Sequence, residues 1–132
     1  MALAAGIGLA GLWSGTGALA AGAIERGEVV FQKCYACHSV VPGEIGLTGP
    51  NLAGVVGRAV AGVPGFAYSD ALEALPAQGH RVWTRAALDA FLMSPEDFAP
   101  GTAMTFIGLP GAKERTDLIA YLAATRDGPG RE

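Results

Sequence analysis

The sequence predicts an all-α fold with three main helices, short helices and long ordered loops. Three stretches repeat apolar residues at spacings of three and four, the period of a helix that buries one face. The residues between them, 41–80 and 94–111, are rich in Gly and Pro and show no strand-like alternation. The 132 residues are 51% hydrophobic and 16% charged, which indicates one folded domain and excludes disorder.

Residues 1–23 form an apolar segment rich in Ala and Gly, and the first charged residue is Glu25. An apolar run that ends in small residues predicts a signal peptide, with residues 18–20 or 21–23 as its A-x-A cleavage site. An uncleaved membrane anchor is the alternative, because about 20 apolar residues can span a bilayer. We expect cleavage, because Ala and Gly contribute little burial energy. Residues 24–132 then form the folded domain of an exported, periplasmic protein.

Each of the three helices has a local signal. The first is predicted at 24–36, where acidic residues in the first turn suit the helix dipole. The second is predicted at 84–93, where Thr84 can cap the start and the following Ser-Pro pair stops the helix. The third is predicted at 112–126, and its apolar face contains Leu118, Tyr121 and Leu122. Three helices in a chain of this length bury little apolar surface on their own. We therefore expect a cofactor to complete the core.

Cys34-Tyr35-Ala36-Cys37-His38 is a C-x-x-C-H motif, the signature for covalent attachment of c-type haem. At this spacing the two thiols reach the two vinyl groups of one porphyrin, and the imidazole is directed at the iron. A structural zinc site would need four ligands, and His80 completes no standard spacing with the motif. A thioredoxin-like dithiol would need a βαβ pattern, which the sequence lacks. A single structural disulfide stays open as an alternative.

The second axial position of such an iron could be filled by four side chains, namely Met93, Met104, His80 and Lys113. Met93 lies in a predicted helix, where a lone Met usually fills the core. Met104 lies in a loop held by Pro100 and Gly101, which can present a thioether inward. We favour Met104, because His/Met ligation is a known haem arrangement.

Further segments stand in one order between Glu25 and Arg126. They are the Gly27/Phe31 pair, the C-x-x-C-H motif, Thr48-Gly49-Pro50-Asn51-Leu52, Gly57-Arg58, Pro64 to Asp70, Trp83, Pro100-Gly101-Thr102 with Met104 and Phe106, and Leu118 to Leu122. Together they resemble the mitochondrial-type class I cytochromes c and their soluble bacterial relatives. The resemblance implies the class I cytochrome c fold around one covalent haem, with the first and last helices crossing at Gly27 against Leu118 and Tyr121.

The resemblance also implies a role for each residue of the site. Cys34 and Cys37 would attach the haem, and His38 and Met104 would ligate the iron. The Pro50 carbonyl would accept the His38 ring N–H and fix its orientation. The haem propionates would be held by Arg58, Tyr68 and Trp83 on one side and by Thr102 on the other.

Filled axial positions leave no room for a substrate, so we expect an electron carrier and not an enzyme. The expected partners are redox proteins: a membrane cytochrome complex, an oxidase, a reaction centre or a dehydrogenase. A net charge of −3 with scattered basic residues argues against nucleic acid. We expect a monomer that docks only transiently at membranes, unless residues 1–23 are retained as an anchor.

Three other functions remain open from the sequence. The protein could be the dedicated electron-accepting subunit of one periplasmic dehydrogenase. It could be a haem protein with an open sixth site, which would bind carbon monoxide readily. It could also be a module without haem, built around a zinc ion or a disulfide, and such a protein would be colourless.

The chain departs from its relatives in two respects. Phe91 and Leu72 replace a Tyr and an Asn near the Met side of the haem, with opposing effects on the redox potential. Where relatives surround the exposed haem edge with lysines, this chain has Leu47, Glu96, Asp97 and Ala103, and Lys33 is the main lysine left. Steering by a basic face is therefore not expected.

Overall fold

The computed structural model describes residues 15–126, and these contain five α-helices and one short 3₁₀ helix. The helices are α1 (Gly15–Phe31), α2 (Asp70–Ala74), α3 (Arg85–Met93), α4 (Pro95–Phe98) and α5 (Ala112–Ala124), with the 3₁₀ turn (Leu75–Gln78) directly after α2. The described residues pair as strands only in an isolated bridge between Ala59 and Val82. The predicted all-α fold is therefore confirmed. Much of the predicted signal peptide, residues 1–14, lies outside the described part.

Helix α1 differs from its prediction at both ends. Within the described residues it is already helical from Gly15 instead of residue 24, because the alanines of residues 18–23 favour a helix. It ends at Phe31 instead of residue 36, because the next backbone amides form shorter-range bonds. The Cys34 amide donates to the Phe31 carbonyl at 2.7 Å, which is a tightened turn of three residues.

Helices α3 and α5 lie close to their predicted positions. The Thr84 hydroxyl accepts the Ala87 amide at 3.0 Å, so the predicted cap of α3 is confirmed. Ser94 ends α3 as predicted, but its hydroxyl also accepts the Asp97 amide and starts α4. Helix α5 ends at Ala124, two residues before the predicted end.

Helices α1 and α5 cross at close range, which joins the two ends of the described chain. Gly27 is buried at the crossing, and a Cβ placed there would overlap the Asp117 carbonyl and lie 2.7 Å from Tyr121 Cβ. The Phe31 and Tyr121 rings pack beside it with centroids 5.5 Å apart. Only glycine lets the two backbones come this close.

A charge cluster locks the same crossing from the side. Asp117 is only 5% exposed and accepts hydrogen bonds from Arg26 Nε at 2.9 Å and from Lys113 Nζ at 3.0 Å. These bonds, first that from Arg26 and then that from Lys113, lower the pKa of the Asp117 carboxyl from 3.8 to about 2. The folded state therefore stabilises the ionised form of the Asp117 carboxylate relative to the unfolded chain.

Replacing Asp117 by asparagine is expected to lower stability at neutral pH and to flatten the acid end of the stability curve. Because the folded pKa of Asp117 lies below the unfolded value, the stabilisation is complete above about pH 4 and is lost as the pH falls towards 2. Urea unfolding at several pH values measures it, with the exposed Asp97→Asn as the control. Equal slopes for wild type and Asp117→Asn between pH 4 and 2 would refute this assignment.

Candidate functional site

A cavity of about 460 Å³ lies among the helices and loops, and it collects the predicted site. All nine predicted site residues line it: Cys34, Cys37, His38, Pro50, Arg58, Tyr68, Trp83, Thr102 and Met104. They come from six separate parts of the chain. The fold therefore brings together side chains that are up to 70 positions apart in the sequence.

The turn that follows α1 places the motif on one wall of the cavity. The Cys37 and His38 amides both donate to the Cys34 carbonyl, at 3.1 and 2.9 Å, which draws the three motif side chains together. Cys34 is partly buried and Cys37 is exposed, and no disulfide joins them. Burial raises the pKa of the Cys34 thiol, and the neighbouring Cys37 adds to this effect.

His38 is held in one orientation. The imidazole is 8% exposed, and its Nδ1 lies 2.7 Å from the Pro50 carbonyl oxygen. A carbonyl only accepts, so Nδ1 carries the proton and Nε2 is left as the ring nitrogen able to bind a metal. Burial lowers the pKa of His38, and the Pro50 carbonyl opposes this in part. The neutral ring is therefore the favoured form.

The loop after the motif supports His38 from behind. A Cβ at Gly49 would lie 2.7 Å from His38 Nδ1, so no side chain fits at this position. Asn51 holds the loop closed by donating from Nδ2 to the carbonyls of Val41 at 2.7 Å and Glu44 at 2.9 Å. Sequence reasoning assigned Gly49 and Asn51 no role of their own, although both stand in the quoted Thr48 to Leu52 segment.

Met104 belongs to the loop between α4 and α5. The Met104 amide donates to the Thr102 hydroxyl at 3.3 Å, and the Thr102 amide donates to the Ala99 carbonyl at 2.9 Å. These local bonds shape the turn that places Met104 at the cavity.

The other three candidate ligands lie elsewhere. Met93 is 53% exposed on α3, so the sequence-based view of it as a core filler was wrong. The His80 ring packs on Phe98 with centroids 4.5 Å apart, and Lys113 pairs with Asp117. Of the four, only Met104 lines the cavity.

Two chain segments pair to position the polar side of the cavity. The Gly57 amide donates to the Trp83 carbonyl and the Trp83 amide donates to the Arg58 carbonyl, both at 2.8 Å. Arg58 also donates from its guanidinium to the carbonyls of Asn51 at 2.8 Å and Ala53 at 2.7 Å. The Tyr68 hydroxyl accepts the Val63 amide at 3.0 Å.

The rest of the cavity wall is mostly apolar. Phe91 is buried, its ring centroid lies 5.1 Å from that of Trp83, and Leu72 also lines the cavity. The two residues of the first departure noted in the sequence, Phe91 and Leu72, therefore both line the cavity. Other apolar lining residues are Phe31, Leu52, Val55, Leu88, Leu92, Phe106, Leu118 and Leu122.

These features fit a covalent haem. Two thiols and a ring nitrogen lie together on one wall, a thioether and an apolar lining share the cavity with them, and polar donors occupy another part. Gly49 keeps the space beside the imidazole clear. Such a site can hold a large flat apolar group with polar substituents at its edge.

Comparisons with known proteins give several related sequences. The chain is 41% identical over 117 residues to cytochrome c2 of Rhodomicrobium vannielii, covering 89% of this chain and 90% of that protein. It is 43% identical over 97 residues to cytochrome c-550 of Ancylobacter novellus, covering 74% and 90% respectively. Among solved structures, cytochrome cH from Methylobacterium extorquens superimposes with a TM-score of 0.65 at 38% identity, covering 75% of this chain and 95% of that one. The chain matches no protein-family model.

Proposed function

Because the chain belongs to the class I cytochromes c and carries one covalent c-type haem at Cys34 and Cys37, we propose that it is a His38/Met104-ligated electron carrier of the bacterial periplasm. The observation that supports this best is that His38 and Met104 line one cavity while the other candidate ligands lie outside it. When bound, the haem supplies a one-electron couple between Fe(II) and Fe(III).

The chain's own residues suit a carrier. His38 is fixed by Pro50 and Met104 by the turn at Thr102, so neither ligand needs to move when the charge of the site changes. Apolar walls such as Phe91 and Leu72 exclude water and favour the form with less charge. If His38 and Met104 both hold the iron, no coordination position would remain for a substrate. A thioether ligand also favours the reduced state, so the potential should be more positive than that of a bis-His site.

The polar residues would hold the edge of the haem. Following the resemblance to the class I cytochromes c, we assign one propionate to Arg58, Tyr68 and Trp83 and the other to Thr102. That all four line the cavity supports this assignment. Arg58 is anchored to two backbone carbonyls, which keeps its cation at a fixed place. A cation and hydroxyl donors offset the cost of taking a carboxylate out of water.

Export and cleavage after residue 23 belong to the same proposal. Residues 15–21 of α1 are exposed, whereas the buried part of the helix begins with Gly27. The segment is thus not needed to build the cavity. None of the helices described in residues 15–126 combines the length and apolar character needed to cross a bilayer. The mass of the purified protein tests cleavage, and an intact chain starting at Met1 would contradict it.

An absorption spectrum tests the proposed ligation. The purified protein should show covalent haem by mass, a weak far-red band of Fe(III)–thioether ligation when oxidised, and no carbon monoxide binding when reduced. Rapid carbon monoxide binding would instead favour an open-site haem protein. Stable copurification with one dehydrogenase would favour a dedicated subunit over a diffusing carrier.

Association with redox partners is expected to depend little on salt. Lys33, which lines the cavity, pairs with Glu114 at 3.1 Å, so the carboxylate offsets part of its charge. Ala103 and Ile107 beside the cavity are exposed, and Ile107 is 91% exposed. We expect stopped-flow rate constants with an acidic partner to change less than about threefold between roughly 10 and 500 mM salt. In Glu114→Gln, which leaves Lys33 unpaired, the decline with salt should be steeper, and a steep decline already in wild type would contradict the prediction.

A further inference from the structure

Arg115 is a buried cation that the electron-transfer site does not use. It lies on α5, is 6% exposed and does not line the cavity. Its guanidinium has three acceptors: Nε donates to Asp89 at 2.8 Å, and one terminal nitrogen donates to the carbonyls of Leu109 at 2.8 Å and Pro110 at 2.9 Å. A buried arginine is kept only where its donors are satisfied.

The two carbonyls belong to the loop that carries Met104. Residues 99–111 connect α4 to α5 without a helix or strand. Near the far end, Gly108 packs so closely on the end of α3 that a Cβ would lie 3.0 Å from the Met93 carbonyl carbon. The Leu109 amide donates to the Leu92 carbonyl at 2.8 Å. Arg115 therefore joins α3, α5 and the end of the Met104 loop at one point.

We propose that Arg115 is a positioning residue that keeps Met104 at the cavity by holding the far end of its loop, an inference that rests on the proposed Met104 ligation. A loop without regular structure opens with a free energy set by the bonds at its ends. Hydrogen bonds from a guanidinium are stronger than neutral ones, and losing them leaves two carbonyls short of a donor. Opening of this end would let Met104 move away from the cavity.

Lysine cannot replace Arg115 in this role. The planar guanidinium reaches a carboxylate and two carbonyls in fixed directions, whereas an ammonium on a flexible stem is a single point of contact. Arg115→Lys keeps the charge opposite Asp89 and removes the simultaneous bonds to Leu109 and Pro110. It therefore separates loop anchoring from charge pairing.

The test compares haem-loaded Arg115→Lys with two matched variants. Arg26→Gln also breaks an ion pair to α5, but the carboxylate of its partner Asp117 bonds to Arg26 and Lys113 and not to the Met104 loop. Asp89→Asn removes the carboxylate and leaves the guanidinium bonds to the loop. Three properties are measured: carbon monoxide binding to the reduced protein, amide hydrogen exchange in residues 99–111, and the free energy of unfolding.

Arg115→Lys should bind carbon monoxide about tenfold faster than wild type and show faster exchange of the Leu109 amide. Arg26→Gln should lose stability without either change, and Asp89→Asn should stay within about threefold of wild type. Wild-type rates in Arg115→Lys, or equal acceleration in Arg26→Gln, would overturn the inference. If Arg115→Lys does not accumulate as a folded protein, hydrogen exchange in the wild type gives the answer. The proposal requires the Leu109 amide to exchange through a local opening of the loop, and exchange only by global unfolding would contradict it. A wild-type protein without the far-red band would refute the Met104 ligand itself, whatever happens at Arg115.

Discussion

Replacing Met104 by alanine is expected to abolish the far-red band completely and to open the reduced iron to carbon monoxide. Of the four side chains considered as second axial ligands, only Met104 lines the cavity, so no other candidate is placed to take over. The redox potential should fall as well, because the ligand that favours Fe(II) is lost. Absorption spectra of both oxidation states, with and without carbon monoxide, give the result.

Met93→Ala is the matched control for this prediction. Met93 is a second thioether near the loop, but it is exposed on α3 and does not line the cavity. The variant should keep the far-red band and resist carbon monoxide. A band that survives in Met104→Ala, or disappears in Met93→Ala, would show that Met104 is not the ligand.

Replacing Gly27 by alanine is expected to destabilise the protein by about 3 kcal/mol. The added methyl group would overlap the Asp117 carbonyl, and a backbone atom cannot rotate away as a side chain can. The helices must separate, which also loosens the packing of Phe31 on Tyr121. Urea unfolding followed by circular dichroism measures the loss.

Gly111→Ala controls for the change of residue type. Gly111 precedes α5 with φ −73°, and the nearest atom to an added Cβ is Glu114 Cγ at 3.7 Å. This variant should change stability by less than about 1 kcal/mol. If Gly27→Ala loses no more stability than Gly111→Ala, the crossing tolerates a methyl group. The closeness of the two helices would then not be what requires glycine at position 27.

Local signals in the sequence predicted much of the fold. Thr84 and Ser94 bound α3 as expected, because capping depends on hydroxyls a few residues from the amides that they satisfy. The start of α1 could not be placed in the same way. An Ala-rich segment suits both a signal peptide and a helix, so composition alone gives no boundary at residue 24.

The site residues also differ in how far the sequence could predict them. The motif at Cys34 to His38 is contiguous and could be identified directly, whereas the resemblance was needed to place Arg58, Tyr68 and Thr102. Neither pointed to Arg115 or Asp117, whose partners are set by tertiary packing. The Arg26 partner of Asp117 is 91 positions away, and no local pattern encodes such a pair.

The α1/α5 crossing also joins segments that lie far apart in the chain. Cys34 and Cys37 follow α1, whereas Leu118 and Leu122, which complete the cavity lining, belong to α5 near the other end. Contacts across so many residues form late, because the entropy of closing the long intervening segment must be overcome first. Until α5 packs on α1 the cavity lacks this part of its lining, so cofactor attachment at the two thiols can precede closure without any need to unfold a finished domain.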